Sequence, residues 1–252
     1  MNAVAAAASR LERWDRRDDW RRFWWALPTV VLGLGIWGGV LGYHHFADVH
    51  LVVVSEVIPQ TFNTSATPTI VIVDRAGDIR VDAGASPSVA VSVTRLGAGK
   101  TTDAAMDDLT SLSLHMDDRL GLVEIITGDE PGKTTSPEAR SNIHVTAPAG
   151  AHLSVVTHEG NVAVDGLSGD IAATADHGDV SVGLADGTVF SLFDGAGSLH
   201  SDFPLATPPA GSDPGVFAVT ADGNGAALQP EGRTVQQLDL HAPNGNVLIQ
   251  RQ

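Results

Sequence analysis

Beyond residue 67 the chain alternates apolar with polar or small positions at a period of two, in short runs broken by glycine. The runs TIVIVD, SVAVSVT, TSLSLHM, GLVEIIT, NIHVTAP and HLSVVT each carry one apolar face, the pattern of a half-buried strand. One phrase recurs: RAGDIRV at 75–81, HEGNVAV at 158–164, LSGDIAA at 167–173 and DHGDVSV at 176–182, with weaker copies GAGSLHS at 195–201 and PNGNVLI at 243–249. Each copy reads glycine, then Asp, Asn or Ser, then alternation. Gly160, Gly169, Gly178 and Gly187 are nine apart, and Gly197 follows after ten. The predicted unit is a turn followed by a short strand. Gly77, Gly160, Gly169, Gly178, Gly187, Gly197 and Gly245 are the structural turn glycines, supplying φ > 0, and the adjoining Asp or Asn bonds its own backbone. One such strand cannot bury its apolar face alone, whereas stacked units can. The expected fold over 67–252 is therefore all-β: an elongated β-helix or solenoid-like stack of short strands. TTDAAMDDL, 101–109, is the helical candidate, and the proline-rich FPLATPPAGSDPG, 203–215, is expected to protrude as a loop.

The front of the chain has the opposite pattern. Residues 23–46, FWWALPTVVLGLGIWGGVLGYHHF, contain no Asp, Glu, Lys or Arg and are long enough for one membrane-crossing helix. Aromatic residues stand at both ends, as at the two membrane interfaces. All six N-terminal arginines precede the span, and the next basic residue is Arg75. The expected arrangement is a bacterial single-pass membrane protein with residues 1–22 as a cytoplasmic Arg-rich arm, 47–66 as a linker and 67–252 as an extracytoplasmic domain. The apolar stretch is longer than a signal peptide's core and no small-x-small site follows it, which favours an uncleaved signal anchor. Gly35, Gly38, Gly39 and Gly42 form overlapping small-xxx-small pairs. They mark either a homo-oligomer through the membrane helix or the ordinary glycine content of such helices. Arg10, Arg13, Arg17 and Arg21 share one face of a helix over 9–22. That face either contacts headgroups or belongs to a solvated helix with pairs such as Glu12–Arg16 and Asp18–Arg22.

Charge narrows the partners. The net charge is −15, and it is unevenly placed: residues 1–45 hold six Arg against four acids, and 46–252 hold nine basic residues against 26 acidic ones. So acidic a domain excludes nucleic acid. The absence of cysteine excludes disulfides and thiolate metal sites.

Three motifs invite a chemical reading. LGAGKTT at 96–102 resembles a phosphate-binding loop, but the first glycine of G-x-x-x-x-G-K-[ST] falls on Thr94, and the acids of TTDAAMDDL follow the lysine. Lys100 reads as an exposed turn residue, so neither nucleotide nor any other cofactor is expected. Gly-Asp at 77–78, 169–170 and 178–179 has one glycine per unit where the calcium-binding nonapeptide has three, and a turn-capping Asp needs no metal. His158 and His177 fall at near-equivalent repeat positions and are expected to stack, without a third ligand to make a metal site. No G-x-S-x-G elbow or H-E-x-x-H helix appears, and no tryptophan lies beyond residue 37 to build a sugar-stacking groove.

GDIRV near the start, NIHVTAPAG ending in a proline-glycine turn, and the ladder THEGNVAVDGLSGDIAATADHGDVSVG together resemble the bacterial putative-adhesin family of β-strand-repeat proteins, a domain of unknown function. The resemblance covers roughly 67–250. It implies an extracytoplasmic, β-helix-like domain on a membrane anchor, with some members encoded beside envelope-stress regulators and with no catalytic residues to carry over. The functional expectation is a non-enzymatic interaction or stress-sensing module of the cell envelope, partnered by the cytoplasmic membrane and an envelope protein or wall component. The alternative is a surface adhesin or wall-associated structural protein, and the third reading is a carbohydrate-active β-helix enzyme.

Overall fold

Alternation in the sequence becomes alternation across a sheet. In β2 (Thr69–Ala76) Ile70, Ile72, Asp74 and Ala76 are buried and the residues between them turn outward. In β8 (His152–Glu159) the buried set is Leu153, Val155 and Thr157, and in β10 (Ile171–His177) it is Ile171, Ala173 and Ala175. After a glycine corner each strand continues into a second one: β3 (Ile79–Gly84), β9 (Val162–Asp165) and β11 (Val180–Leu184). The 16-residue β15 (Gln236–Arg251) makes the same bend within one strand. Register aligns Ile70, Leu153, Ile171 and Leu238 before the corner. It aligns Ile79, Val162, Val180 and Val247 after it. All eight are at most 3% exposed and join one core cluster.

The computed structural model describes residues 51–252 except 209, 214, 222–225 and 229–233. The described strands join into one 15-stranded sheet. Before the corner β15, β10, β8 and β2 are followed by β6 (Leu122–Asp129) and β5 (Leu112–Arg119). After the corner β15, β11, β9 and β3 are followed by β7 (Arg140–Pro148), β4 (Ser88–Gly99) and β1 (Val52–Asn63). β12 (Phe190–Ser201) lies along β15 on both sides of the corner, and β14 (Val216–Thr220) and β13 (Leu205–Ala206) attach beside it. The two arms thus form opposing walls of a nearly closed, barrel-like sheet.

This corrects the expected solenoid. A solenoid sets each rung beside the next in chain order, but here β3 lies between β7 and β9, β2 between β6 and β8, and β15 beside β10 and β11. The pairs β1–β4, β4–β7 and β5–β6 are antiparallel, whereas the repeat strands pair in parallel. The all-β expectation holds. The repeat periodicity reports the corners, and periodicity alone cannot distinguish a stack of sequential rungs from a sheet whose neighbours come from distant segments.

The expected membrane anchor is also withdrawn. Among the described residues no helix is long and apolar enough to cross a membrane, so the single-pass localisation has no structural support. Residues 1–22 and 23–46 lie outside the described residues. The expected linker 47–66 contains β1, an edge strand in which Pro59, lacking an N–H, is tolerated. The 203–215 stretch is anchored at its start, where Phe203 is buried edge-on against Phe190 at 5.6 Å.

GAGKTT has a structural explanation. Thr101 caps α1 (Thr102–Thr110) by accepting the Ala104 N–H at 3.2 Å. A Cβ at Gly97 or Gly99 would lie closer than 3.0 Å to the backbone of Ala104, Ala105 or Leu109, so the glycines admit the helix against β4. Asp108 accepts from Ala98 N–H at 2.9 Å, Ser136 N–H at 2.7 Å and the Ser136 hydroxyl at 2.8 Å. Burial pushes its carboxyl up, but these donors outweigh burial and hold it below its ordinary range. The loop seats a helix that touches both end strands, β1 and β5. Lys100 is exposed.

Candidate functional site

The corner is held by two columns. Gly77, Gly160, Gly178, Gly245 and Gly197 stack across the sheet, each pressed on its neighbour's backbone: a Cβ on Gly160 would strike the Gly77 carbonyl, one on Gly178 the Gly160 carbonyl, one on Gly245 the Gly178 carbonyl, and one on Gly197 the Gly245 carbonyl. Gly169 is pressed in the same way on Ala151, while Gly187 has open space around it. Gly169, Gly178 and Gly245 are outside the left-handed range, so close backbone approach accounts for glycine there.

Beside the glycines runs a column of Asn142, Asp78, Asn161, Asp179 and Asn246. The Asn142 side-chain oxygen accepts the Asp78 N–H at 3.1 Å, and Asp78 Oδ1 accepts the Asn161 N–H at 3.0 Å. Asn161 Oδ1 accepts the Asp179 N–H at 3.0 Å, and Asp179 Oδ1 accepts the Asn246 N–H at 2.7 Å. The polar residue after each glycine therefore bonds the next strand, not its own turn. Asn and Asp alternate, so no two carboxylates are adjacent, and each Asp also accepts an amide N–H from the following Asn, at 3.1 and 2.9 Å. Asn161→Asp would place three carboxylates in sequence. The variant is expected to lose about 1–3 kcal/mol at neutral pH and to recover as pH falls into the carboxyl range, read by thermal melts across pH.

On the outer face of the wall formed by β2, β8, β10, the first half of β15 and β12 lies a trough of about 480 Å³. Its shape follows from side-chain size. Ser154 and Ala172 are aligned outward-facing residues of β8 and β10, and being small they leave a floor. Along one side stand His152, Asp170 and Gln237 in a single register row. At one end Asp239, opposite Ala172, stands directly beside Phe193. The row is tied across strands: His152 Nδ1 accepts the Asp170 N–H at 3.2 Å, and Asp170 Oδ1 accepts the Gln237 N–H at 3.0 Å. Buried Gln236 donates to the Gly169 carbonyl at 2.6 Å and fixes β15 beneath it. Asp239 has no hydrogen-bond or ion-pair partner among the described residues.

On the opposite wall carboxylates are engaged by partners of this chain. Arg80 bonds Asp82 and Asp165, each at 2.9 Å, and His144 Nε2 meets Asp82 at 2.8 Å. Arg80 first, then His144, hold the Asp82 carboxyl below its ordinary range against the upward push of burial.

His158 and His177 do come together, with ring centroids 5.3 Å apart, and Asp176 lies 3.0 Å from His158. Among the described residues no group of three or more His, Asp or Glu is placed to hold a metal ion. Gly35, Gly38, Gly39, Gly42, Arg10, Arg13, Arg17 and Arg21 lie outside the described residues. Motif reading does not find the trough, because Phe193 and Asp239 meet Ser154 and Ala172 only through register between distant strands. The small outward positions in HLSVVT and DIAATA are the signal the sequence offers.

No protein-family model matches the chain, and no curated protein matches it. Among solved structures, a putative cell adhesion protein from Clostridium sporogenes ATCC 15579 is similar over 80% of this chain and 100% of its own, at 8% identity and a TM-score of 0.49. A putative adhesin from Bacteroides fragilis NCTC 9343 is similar over 78% of this chain and 97% of its own, at 10% identity and a TM-score of 0.31. A putative lipid binding protein from Parabacteroides distasonis ATCC 8503 is similar over 58% of this chain and 69% of its own, at 12% identity and a TM-score of 0.23. Two of these names are of the adhesin type that the repeat resemblance implied. At these scores the likeness transfers no site and no activity.

Proposed function

We propose that the chain is a non-enzymatic interaction module of adhesin type, and that the trough on the β8–β10–β15 face is where its partner docks. The observation that carries this reading is the trough's construction: small residues on rigid strands make the floor, a hydrogen-bonded row makes the side, and a free carboxylate stands beside an aromatic ring. Sites on strands hold their geometry better than sites on loops, and the volume falls within the range of binding pockets, ~300–1,000 Å³.

The hydrogen bonding also supports a binding role over a hydrolytic one. Ser154, His152 and Asp170 lie close together, but in a triad the imidazole donates its Nδ1 proton to the carboxylate and its other nitrogen takes the serine proton. Here Nδ1 is the acceptor of the Asp170 backbone N–H, so the Asp170 carboxylate does not receive a proton from it. Ser154 has no hydrogen bond to His152.

The test is site-specific photo-crosslinking of the full chain in cells, with a photoreactive residue at Ser154 on the trough floor or at Ser181, outward on the opposite wall. Adducts are expected from position 154 and not from 181, and Ala172→Trp, which fills the trough from an outward position, is expected to remove them while leaving the melting temperature within a few degrees. Equal labelling from both positions, or adducts that survive Ala172→Trp, would sink the reading.

A further inference from the structure

We infer that the trough recognises a basic side chain, specifically a guanidinium presented by a partner polypeptide; this rests on the trough being the docking site. The argument begins with Asp239. It is exposed, has no partner among the described residues, and projects from the strand position directly paired with Phe193. A carboxylate beside an aromatic ring suits a planar cation, which can stack on the ring while its N–H groups reach the carboxylate oxygens. A point-charge ammonium meets the carboxylate but gains less from the ring.

The rest of the trough fits the same guest. Ala172 lies directly opposite Asp239 and contributes only a methyl group, so the space over the floor stays open. At the side, Asp170 is oriented by the Gln237 N–H and adds a second carboxylate, with its Oδ2 3.4 Å from His152 Nδ1. The Ser154 hydroxyl has no partner among the described residues and is free to accept from the guest. The floor and the half-buried Phe193 provide apolar contact for the methylene stem.

Charge selects the same class of partner. The chain carries −15 overall, so a polyanion is repelled and a basic segment is drawn in. On the opposite wall comparable carboxylates are already engaged: Asp82 by Arg80 and His144, and Asp165 by Arg80 and Gln252. The trough offers an external cation what Asp82 and Asp165 offer Arg80 within the chain on the opposite wall.

The experiment titrates the full chain with a capped tetra-arginine peptide and with the capped tetra-citrulline peptide of nearly the same shape and no charge, followed by calorimetry. Saturable binding of tetra-arginine and none of tetra-citrulline is expected. Asp239→Asn and Phe193→Leu are each expected to weaken binding about tenfold, with circular dichroism unchanged. Asp103→Asn, which removes the same formal charge from α1, is expected to leave affinity unaltered. Equal weakening by Asp103→Asn would show diffuse charge attraction and overturn the site. Capped tetra-lysine binding as tightly as tetra-arginine, with Phe193→Leu silent, would overturn the guanidinium assignment. Failure of tetra-arginine to bind, in a protein whose Ser154 crosslinks are still abolished by Ala172→Trp, would reject the basic ligand and leave the docking site standing. Crosslinks that persist in Ala172→Trp would remove the docking site itself.

Discussion

Gly178→Ala is expected to destabilise the protein by at least about 3 kcal/mol, as much as a conventional core truncation, although it adds a single methyl group. The methyl has nowhere to go. Its carbon would lie closer than 3.0 Å to the carbonyl of Gly160 and only 3.3 Å from the backbone N of Asn161, and these are main-chain atoms that cannot swing aside. Gly178 also supports the next member of the column, because its own carbonyl is what a Cβ on Gly245 would meet. Pushing it outward would disturb the hydrogen bonds that cross the corner, including Gly160 N–H to the His177 carbonyl at 3.0 Å and Asp179 N–H to Asn161 Oδ1 at 3.0 Å. Gly187→Ala is the matched control. Gly187 has φ +78 and nothing within 4 Å of the position an added methyl would take, so only the left-handed backbone is penalised, by about 1 kcal/mol. Thermal or urea unfolding of the two variants decides the matter. Equal losses would mean that conformational preference, not close approach, explains the glycine at 178.

That contrast shows what is legible in the sequence and what is not. The repeat phrase locates the corners, and alternation locates the buried positions of β2, β8, β9, β10 and β11, because both are local properties of a strand. The glycines are visible, but the reason for them is not. A turn requiring φ > 0 and a backbone pressed against its neighbour select the same residue, and only the register of β10 on β8 and β15 tells them apart. The same limit explains the solenoid expectation. GDIRV at 77–81 looks like the first of a series, but β7 inserts beside β3 and β15 returns from the end of the chain to lie beside β10 and β11. β1 escapes pattern reading because an edge strand largely exposed on both faces, with Pro59 inside it, lacks clean alternation. The trough is invisible for the same reason as the strand order: Ser154, Ala172, Asp239 and Phe193 form a site only once four strands are in register.

Asp74 is equally illegible, since the alternation of TIVIVD places an aspartate where an apolar residue belongs. It is 3% exposed on the inward face of β2, its Oδ1 accepts from the Thr127 hydroxyl, and its Oδ2 is buried without a hydrogen-bond partner. Burial dominates and pushes its carboxyl up from 3.8 to about 6, against the opposing influence of Thr127 and of neighbouring Arg75. The folded state therefore holds the proton more tightly than the unfolded chain does. Its stabilising effect is complete below the unfolded value near 4 and is lost as pH rises through 6. A rise of this size corresponds to about 3 kcal/mol at 1.36 kcal/mol per pH unit. Asp74→Asn keeps the shape and removes the charge, so its melting temperature should match wild type near pH 3, below the unfolded value, and exceed it by about 5–10 °C at pH 7.5. Parallel melting curves for the two proteins across that range would show that the buried carboxyl binds its proton no more tightly than in the unfolded chain, as a hydrated or fully hydrogen-bonded carboxylate would. A gap that opens from pH 4 to 6 and levels off above 6 would identify Asp74 as a charge kept inside the core at a cost in stability, on the strand β2 that borders the trough at Thr69.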